Sequence, residues 1–427
     1  MNKIYLSVII LLSGFGISAQ DINSIITVKK VKKIEKTLSS DKMMGRGLFT
    51  PGLDRAAAFI SEEFKKAGLA PSAATGFSQE FTLIAAEQTD AKGLVDGKAI
   101  DGKRITAFST KETLSVTQQS GYENVSIEAG DKFLNKAYGY VVAGKNYLVW
   151  VDTAHQKNFA ELSRLKRETF KSDNSVLFVL ANATPSQYSF TIEQQITEKP
   201  LKNIVGILPG KTRKDEYVIF SGHYDHLGTH QPNADGDSIF NGANDDAAGI
   251  TAVIMLAKYF VKLKNNERTI IFTAFTAEET GGFGSQYFSR QFNPDQVMAM
   301  FNIEMIGTDS KWGTNSAYIT GYEKTDMGKI LEKNLEGSPF KFYPDPYPDQ
   351  QLFYRSDNAT LAKLGVPAHT ISTSKMDSET YYHTLDDEFE TLDIKNMTEI
   401  IKAIATSSTS IIKGTDTPTR VDSKQLR

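Results

Sequence analysis

The residues best suited to chemistry lie in three short motifs in the second half of the chain. The motifs are SGHYDH at 221–226, NGANDDAAG at 241–249 and TAEETGG at 276–282. Each follows an apolar run typical of a buried strand or stands at the start of a helix, so each offers an imidazole or a carboxylate where an element ends. With Glu304 and His383 they supply the nitrogen and oxygen ligands that divalent metals of the zinc type accept.

Five of these side chains predict two metal sites that share one ligand. Two-metal hydrolytic sites need a bridging carboxylate, and we assign that role to Asp245. One ion would take His223 and Glu304 as further ligands, and the other would take Glu279 and His383. The chain has no cysteine, so a thiolate metal site, a disulfide and a thiol nucleophile are all excluded.

Two further carboxylates have predicted catalytic roles. Glu278 precedes a ligand but should point elsewhere, so we interpret it as the general base that takes a proton from a bridging water and passes it to the leaving amine. Asp225 lies two residues after His223, where its carboxylate could accept the second ring N–H of that imidazole and fix its tautomer.

Taken singly, each motif also fits a polar loop, a helix N-cap or a solvated turn, and the shared position at element ends favours a common site.

The remaining histidines are interpreted as residues outside the set of metal ligands. His226 and His230 are predicted to lie at the rim of the site, His155 to be structural or exposed, and His369 to be a core histidine at a strand start.

Composition is that of an ordinary soluble globular protein. The chain has 427 residues, 40% hydrophobic and 23% charged, which predicts two domains or one domain with a large insertion. A formal net charge of -3 gives no reason to expect nucleic acid or an anionic membrane as a partner.

The N-terminus is typical of an export signal. Lys3 precedes an apolar run at 4–12, and the small-residue segment ISA at 17–19 resembles a cleavage site. We predict a signal peptide at 1–19 and export to the periplasm or the medium, with an uncleaved membrane anchor as the alternative. No later segment is apolar enough to suggest a membrane span.

The pattern of elements predicts a discontinuous α/β domain with an insert. Residues 20–81 and 203–412 alternate apolar strands with amphipathic helices, which indicates a mixed, mostly parallel sheet covered by helices on both faces. Residues 82–202 form a β-rich insert, with a strand expected at 141–143 and a helix at 158–171. Residues 413–427 are interpreted as a polar, disordered tail.

At these motifs the chain resembles the zinc aminopeptidase family that includes bacterial leucyl and aminopeptidase-Y-type enzymes, with glutamate carboxypeptidase and glutaminyl cyclase as relatives. The resemblance rests on YVIFSGHYDHLG, NGANDDAAG, TAEETGGFGS, NIEMIG and YYHTLDDEFETLD in this order. It implies a phosphorylase/hydrolase-like fold with two zinc ions, and an insert similar to a protease-associated domain. It also implies the same five ligands and the same base. Apart from the resemblance, Tyr382 precedes His383 and could either donate its hydroxyl to an oxyanion or serve as an aromatic packing residue.

The chain departs from the family pattern at two positions. Glu304 stands where the family usually has aspartate, and Asn358 stands where members often have histidine, so no role is carried over to Asn358. The extra methylene of Glu304 changes the ligand geometry.

Taken together, the sequence predicts an exported exopeptidase that removes N-terminal residues from peptides. Glutaminyl cyclase or carboxypeptidase chemistry on the same fold stays open, and so does a metal-stabilised peptide-binding module.

Overall fold

The computed structural model describes residues 19–74, 76–181 and 185–426, and these residues divide into two compact units. One unit comprises 1–79 and 202–427, and the other comprises 80–201. Both boundaries fall within long strands, Ser78–Val95 and Tyr188–Leu208. The predicted signal peptide lies outside the described residues except for Ala19, with which the first helix begins.

The first unit is built on a mixed sheet with a parallel centre. Its strands are, in spatial order, Lys341–Pro344, Ser316–Ile319, Ala368–Ser372, Val297–Ile303, Arg213–His223, Arg268–Phe275 and the end of Tyr188–Leu208. The four central strands from Ala368–Ser372 to Arg268–Phe275 run parallel, and their neighbours on either side pair with them antiparallel. A two-residue strand, Ala70–Pro71, also pairs with Tyr188–Leu208, and Gly228–Thr229 pairs with Ile239–Phe240.

Helices cover both faces of this sheet. They are Ala19–Ile25, Val28–Leu38, Pro51–Ala67, Ala248–Leu263, Phe283–Ser289, Met327–Asn334, Asn358–Ala362, Ile394–Ser407 and Thr409–Ile412. Phe220 stacks on Phe260 of the helix Ala248–Leu263 with ring centroids 5.6 Å apart, whereas its neighbour Ile219 packs in a core with Phe288 and Leu361. Because successive strand residues point to opposite faces, both faces are buried, as the apolar strands predict.

The second unit is β-rich, and its described residues contain one α-helix. A four-stranded sheet has the order Ile105–Phe108, Val176–Leu180, Tyr147–Val151, Glu123–Ile127, and the helix Phe133–Val142 packs on one of its faces. Other strands of this unit are Lys98–Ile100, Thr113–Thr117 and Thr169–Phe170, which pair with the two long strands.

Three expectations about secondary structure and order were wrong. Residues 141–143 end a helix and begin the turn after it, and residues 158–171 hold a 3-10 segment, Phe159–Leu165, followed by the short strand Thr169–Phe170. The C-terminal tail is ordered over residues 413–426, because Val421 is 4% exposed within the core and Arg420 donates to the Val297 carbonyl. Among the described residues no helix is both long and apolar enough to cross a membrane.

Candidate metal centre

The first predicted group of ligands comes together at the ends of the parallel strands. His223 is the last residue of its strand, and Glu304 directly follows the strand Val297–Ile303. Asp245 lies just before the helix Ala248–Leu263, and its Oδ1 is 3.1 Å from Nε2 of His223. His223, Asp245 and Glu304 each offer a ligand atom within 4.8 Å of the others. The carboxyl ends of parallel strands share one sheet edge, which explains the convergence.

The second predicted group meets the other oxygen of Asp245. Nε2 of His383 lies 3.3 Å from Oδ2 of Asp245 and 3.1 Å from Oε2 of Glu279. Glu279 is on the turn after the strand Arg268–Phe275, so it reaches the same sheet edge. Asp245 therefore presents one oxygen to each histidine, as a bridging ligand would.

His226 is part of this centre, and its prediction as a rim residue was wrong. The residue is 2% exposed, and its Nδ1 lies 2.7 Å from Oε1 of Glu279 and 3.9 Å from Oδ2 of Asp245. His226, Asp245 and Glu279 form a second group of three with ligand atoms within 4.8 Å. The spacing of the motif does not reveal that the loop after His223 turns back into the site.

Asp225 is fully buried beside His223, but its carboxylate has a different partner from the predicted one. Nδ1 of His223 lies 3.1 Å from the backbone carbonyl of Asp225 and 3.9 Å from its carboxylate. The two carboxylate oxygens instead accept from the backbone N–H groups of Glu278 and Glu279, at 3.2 and 3.4 Å. The carbonyl therefore orients the imidazole, and the carboxylate holds the turn that carries both glutamates.

Glu278 faces the cleft without belonging to either group. It lines a cleft together with Asp245, Glu279, Glu304 and Tyr382. Burial raises the pKa of the Glu278 carboxyl well above its usual value of 4.5. A raised pKa suits a group that has to take up a proton during a reaction.

Glu304 has two polar neighbours besides its group. The hydroxyl of Ser356 makes a short hydrogen bond to its Oε2, and Nδ2 of Asn302 lies 3.4 Å from the same oxygen. Burial raises the pKa of the Glu304 carboxyl to about 7. The longer side chain thus reaches the position beside His223 with one oxygen held by Ser356.

Tyr382 stands at the edge of the centre. Its ring stacks on that of His383 with centroids 3.9 Å apart, and the residue is half-buried. This position is compatible with both predicted roles of Tyr382, a hydroxyl donor in the cleft and an aromatic packing residue beside His383. Asn358 lies in the core, where it donates to the Phe353 carbonyl.

The other histidines lie outside the centre. His369 is buried between the Thr320 carbonyl and the Thr325 hydroxyl, and burial lowers its pKa to about 4. His155 is buried in the second unit, stacked on Phe133. His230 is exposed.

Two acidic residues that sequence reasoning missed hold the ligand loops together. The carboxylate of Asp246 accepts from the backbone N–H groups of His223, Gly249 and Met305 at 3.0–3.1 Å. Asp387 accepts from the N–H groups of Asn244 and Asp245. Both acids are next to predicted ligand motifs, but only the folded chain tells which backbone they bind.

The backbone is unusual beside the ligands. Ala277, Met305 and His383 have φ values of 58°, 54° and 57°, a region that non-glycine residues seldom adopt. Such conformations persist where the surrounding structure enforces them, and they cluster at functional sites.

Arg46 holds the loop before Asp245 in place through hydrogen bonds from its guanidinium. The residue is 1% exposed, and its guanidinium donates to the carbonyls of Leu38, Tyr224, Asn241, Gly242 and Asp245 at 2.5–3.1 Å. These bonds use all five N–H donors of the side chain. The GRG loop at 45–47 thereby ties the N-terminal helices to two ligand-bearing segments.

We expect Arg46→Ala to lower the free energy of unfolding by about 3–5 kcal/mol, because it leaves several buried carbonyls without donors. The urea midpoint, followed by circular dichroism, measures the change. Arg55→Ala is the matched control, since Arg55 is exposed and donates one bond, to the Lys42 carbonyl. A shift for Arg46→Ala no larger than that for Arg55→Ala would contradict the role.

The donor set fits zinc-type cations. The Nε2 atoms of His223 and His383 are buried without a hydrogen-bond partner among the described residues. Several carboxylates lie in the same space. Hydrogen bonds and charges of Asp245 and Glu279 raise the pKa of His383 to about 10, because their effect is larger than the opposite effect of burial. Buried carboxylates at this density need cations to offset their repulsion, and imidazole and carboxylate are ligands that zinc prefers.

Comparison with known proteins finds relatives of this chain and solved structures that share its fold. The model of peptidase family M28 matches residues 203–408. A probable leucine aminopeptidase of Trichophyton verrucosum is 27% identical over 209 residues, 47% of this chain and 54% of that protein. A probable zinc metalloprotease of Pyrenophora tritici-repentis is 36% identical over 109 residues, 25% of this chain and 24% of that protein. The chain thus spans about a quarter to a half of these curated relatives.

A solved structure shares the fold over most of the chain. BSAP, a zinc aminopeptidase from Bacillus subtilis, aligns with a TM-score of 0.56 and 18% identity, covering 91% of this chain and 95% of that one. Residues 203–408, which match the family model, thus lie in a unit with a mixed α/β fold.

Proposed function

We propose that this protein is an exported zinc aminopeptidase that removes N-terminal residues from peptides with two zinc ions per chain. The observation that carries the proposal is the sharing of Asp245, whose two oxygens face His223 and His383. Glu304 would complete the ligands of one ion and Glu279 those of the other. The aminopeptidase and zinc metalloprotease names of the relatives support the same class.

Zinc, when bound, polarises a substrate carbonyl and lowers the pKa of a water molecule towards about 7. The protein's own groups would move the proton. Glu278, buried at the cleft and outside both ligand groups, takes the proton of the attacking water and delivers it to the leaving amine. The carboxylate of Asp225 keeps Glu278 in place by accepting a hydrogen bond from the backbone N–H of Glu278. Tyr382, which lines the same cleft, is suited to donate its hydroxyl to the developing oxyanion.

The first test is zinc content and turnover on one preparation of mature protein. We expect about two zinc ions per chain and hydrolysis of the nitroanilides of leucine, alanine or glutamate, lost on chelation and restored by zinc. N-acetylated versions of the same substrates are the control, and we expect them to resist hydrolysis. A zinc-loaded protein inert on a broad panel of peptides with free N-termini would contradict the proposal and favour a peptide-binding module.

A carboxypeptidase is the second candidate, and one residue favours it. Arg355 lines the cleft, where its guanidinium could pair with a free C-terminal carboxylate. Peptides blocked at the N-terminus separate the two activities, because a carboxypeptidase cleaves them and an aminopeptidase does not. Glutaminyl cyclase chemistry uses a single zinc and would instead convert peptides with N-terminal glutamine without releasing an amino acid.

Export is the part of the proposal that depends on the N-terminal segment. Mature protein that begins near Gln20 in the periplasmic or culture fraction is the expected result. Protein that keeps the segment at 1–19 and sediments with membranes would favour the uncleaved anchor.

A further inference from the structure

His226 is a buried imidazole at the centre that is not one of the five predicted ligands and has no part in the proposed proton transfer. Its Nδ1 lies 2.7 Å from Oε1 of Glu279, within the range of a hydrogen bond to a carboxylate. The second oxygen of the same carboxylate, Oε2, lies 3.1 Å from Nε2 of His383. Glu279 thus stands between two histidines, with one oxygen towards each.

Distances separate the roles of these two histidines. Two ligand atoms on a tetrahedral zinc with bonds of about 2.0–2.1 Å lie about 3.3 Å apart. Nε2 of His383 meets this spacing with Asp245 and Glu279, at 3.3 and 3.1 Å. Nδ1 of His226 does not, because it is 2.7 Å from Glu279 and 3.9 Å from Asp245. The geometry of His226 is that of a hydrogen-bond donor to a ligand.

The surroundings hold the His226 ring in this orientation. Its backbone N–H donates to the Arg46 carbonyl at 3.2 Å. Gly242 lies against the ring so closely that a Cβ there would be 2.5 Å from Cδ2 of His226. The ring of His383 meets it edge to face with centroids 5.7 Å apart. An imidazole held on three sides loses little entropy when it makes its hydrogen bond.

We propose that His226 is a positioning residue for the second zinc site. Its Nδ1–H donates to Oε1 of Glu279 and thereby leaves Oε2 directed at the zinc that Glu279 would share with His383 and Asp245. The inference rests on the proposed function, because it requires two zinc ions. A hydrogen bond to a ligating carboxylate fixes its orientation, and loss of such a partner costs about 10–100-fold in metal affinity.

The test compares three substitutions by zinc titration in metal-buffered solution, with zinc per chain as the readout. His226→Ala removes the donor, so we expect the affinity of one of the two zinc ions to fall about 10–100-fold while the other is retained. Asn places its amide N–H near the position of Nδ1, so His226→Asn should restore most of that affinity. Gln places its amide nearer the position of Nε2, so His226→Gln should restore less. His230→Ala, which removes an exposed imidazole from the same loop, should bind both ions like the wild type.

Each outcome decides a separate question. Wild-type protein that binds fewer than two zinc ions overturns the two-zinc proposal and this inference with it. Wild-type protein with two zinc ions and a His226→Ala variant of equal affinity overturns the inference alone. An Asn variant as weak as the Ala variant also overturns it, because this result indicates direct ligation by the imidazole. Thermal unfolding of the metal-free variants checks folding, and the Asn and Gln variants decide the matter if His226→Ala does not fold.

Discussion

Replacing Asp245 with alanine should leave the protein without tightly bound zinc and without detectable peptidase turnover. Asp245 is the only residue common to both groups of ligands found among the described residues. Its Oδ1 faces His223 and its Oδ2 faces His383, so one substitution removes a ligand from each site. A structural or catalytic zinc site with only two protein ligands left falls short of the three or four that zinc sites use.

Asp245→Ala should remove the carboxylate without changing the backbone hydrogen bonds of this residue. The backbone N–H of Asp245 donates to Asp387 and its carbonyl accepts from Arg46, and both bonds survive in alanine. Asp54→Ala is a suitable control, because Asp54 is an exposed acid paired with Lys202 on the surface of the same unit. Zinc content by mass spectrometry and nitroanilide turnover are the measurements. Retention of one zinc with partial activity would mean that the two sites do not share this residue.

Local sequence was sufficient to predict that several candidate ligands would come together at one edge of the sheet. His223, Glu279 and Glu304 each follow an apolar run, and parallel strands end at one edge of a sheet, so strand assignment alone brings them together. His383 lies on a loop far along the chain that no periodicity connects to the sheet. It was assigned on its residue type, as one of six histidines in the chain, and the resemblance to a known family implies the same ligand.

The supporting residues could not be predicted in this way. Arg46 donates to the carbonyls of Gly242 and Asp245, which lie nearly 200 positions later in the chain. Because every residue has a backbone carbonyl, the residue types do not indicate these bonds. His226 turns inwards because Arg46 and Gly242 shape the loop around it. Asp246 carries an acidic side chain of the same type as its neighbour Asp245, and only the fold assigns it to three backbone N–H groups.

The errors in secondary structure have similar causes. The valines at 141–142 favour a strand, but they end the helix Phe133–Val142, whose Phe133 and Ala137 are buried against the sheet of the second unit. The polar tail carries Val421 and Arg420 among charged residues, and tertiary contacts order it despite its composition. In both segments packing against distant strands overrides the local preference.

Replacing Glu278 with glutamine should lower kcat by about 10²–10⁴-fold and leave zinc content and KM nearly unchanged. Glutamine has the shape of glutamate and keeps the backbone N–H that donates to Asp225, so the turn should keep its conformation. What is lost is a carboxylate able to accept the proton of the attacking water and hand it to the leaving amine. Because Glu278 belongs to neither ligand group, metal binding should persist.

Glu279, the residue after Glu278, provides the matched comparison for Glu278→Gln. Glu279→Gln makes the same chemical change one position along the chain, but Glu279 contacts both His226 and His383. We therefore expect it to lose one of the two zinc ions, with activity recovering in part at high zinc concentration. Glu278→Gln should show the opposite pattern, with full zinc content and no recovery on adding zinc. Zinc loss in Glu278→Gln would make Glu278 a ligand, and turnover near the wild-type value would assign the proton transfer to another group, since a glutamine at this position has no means of carrying it out.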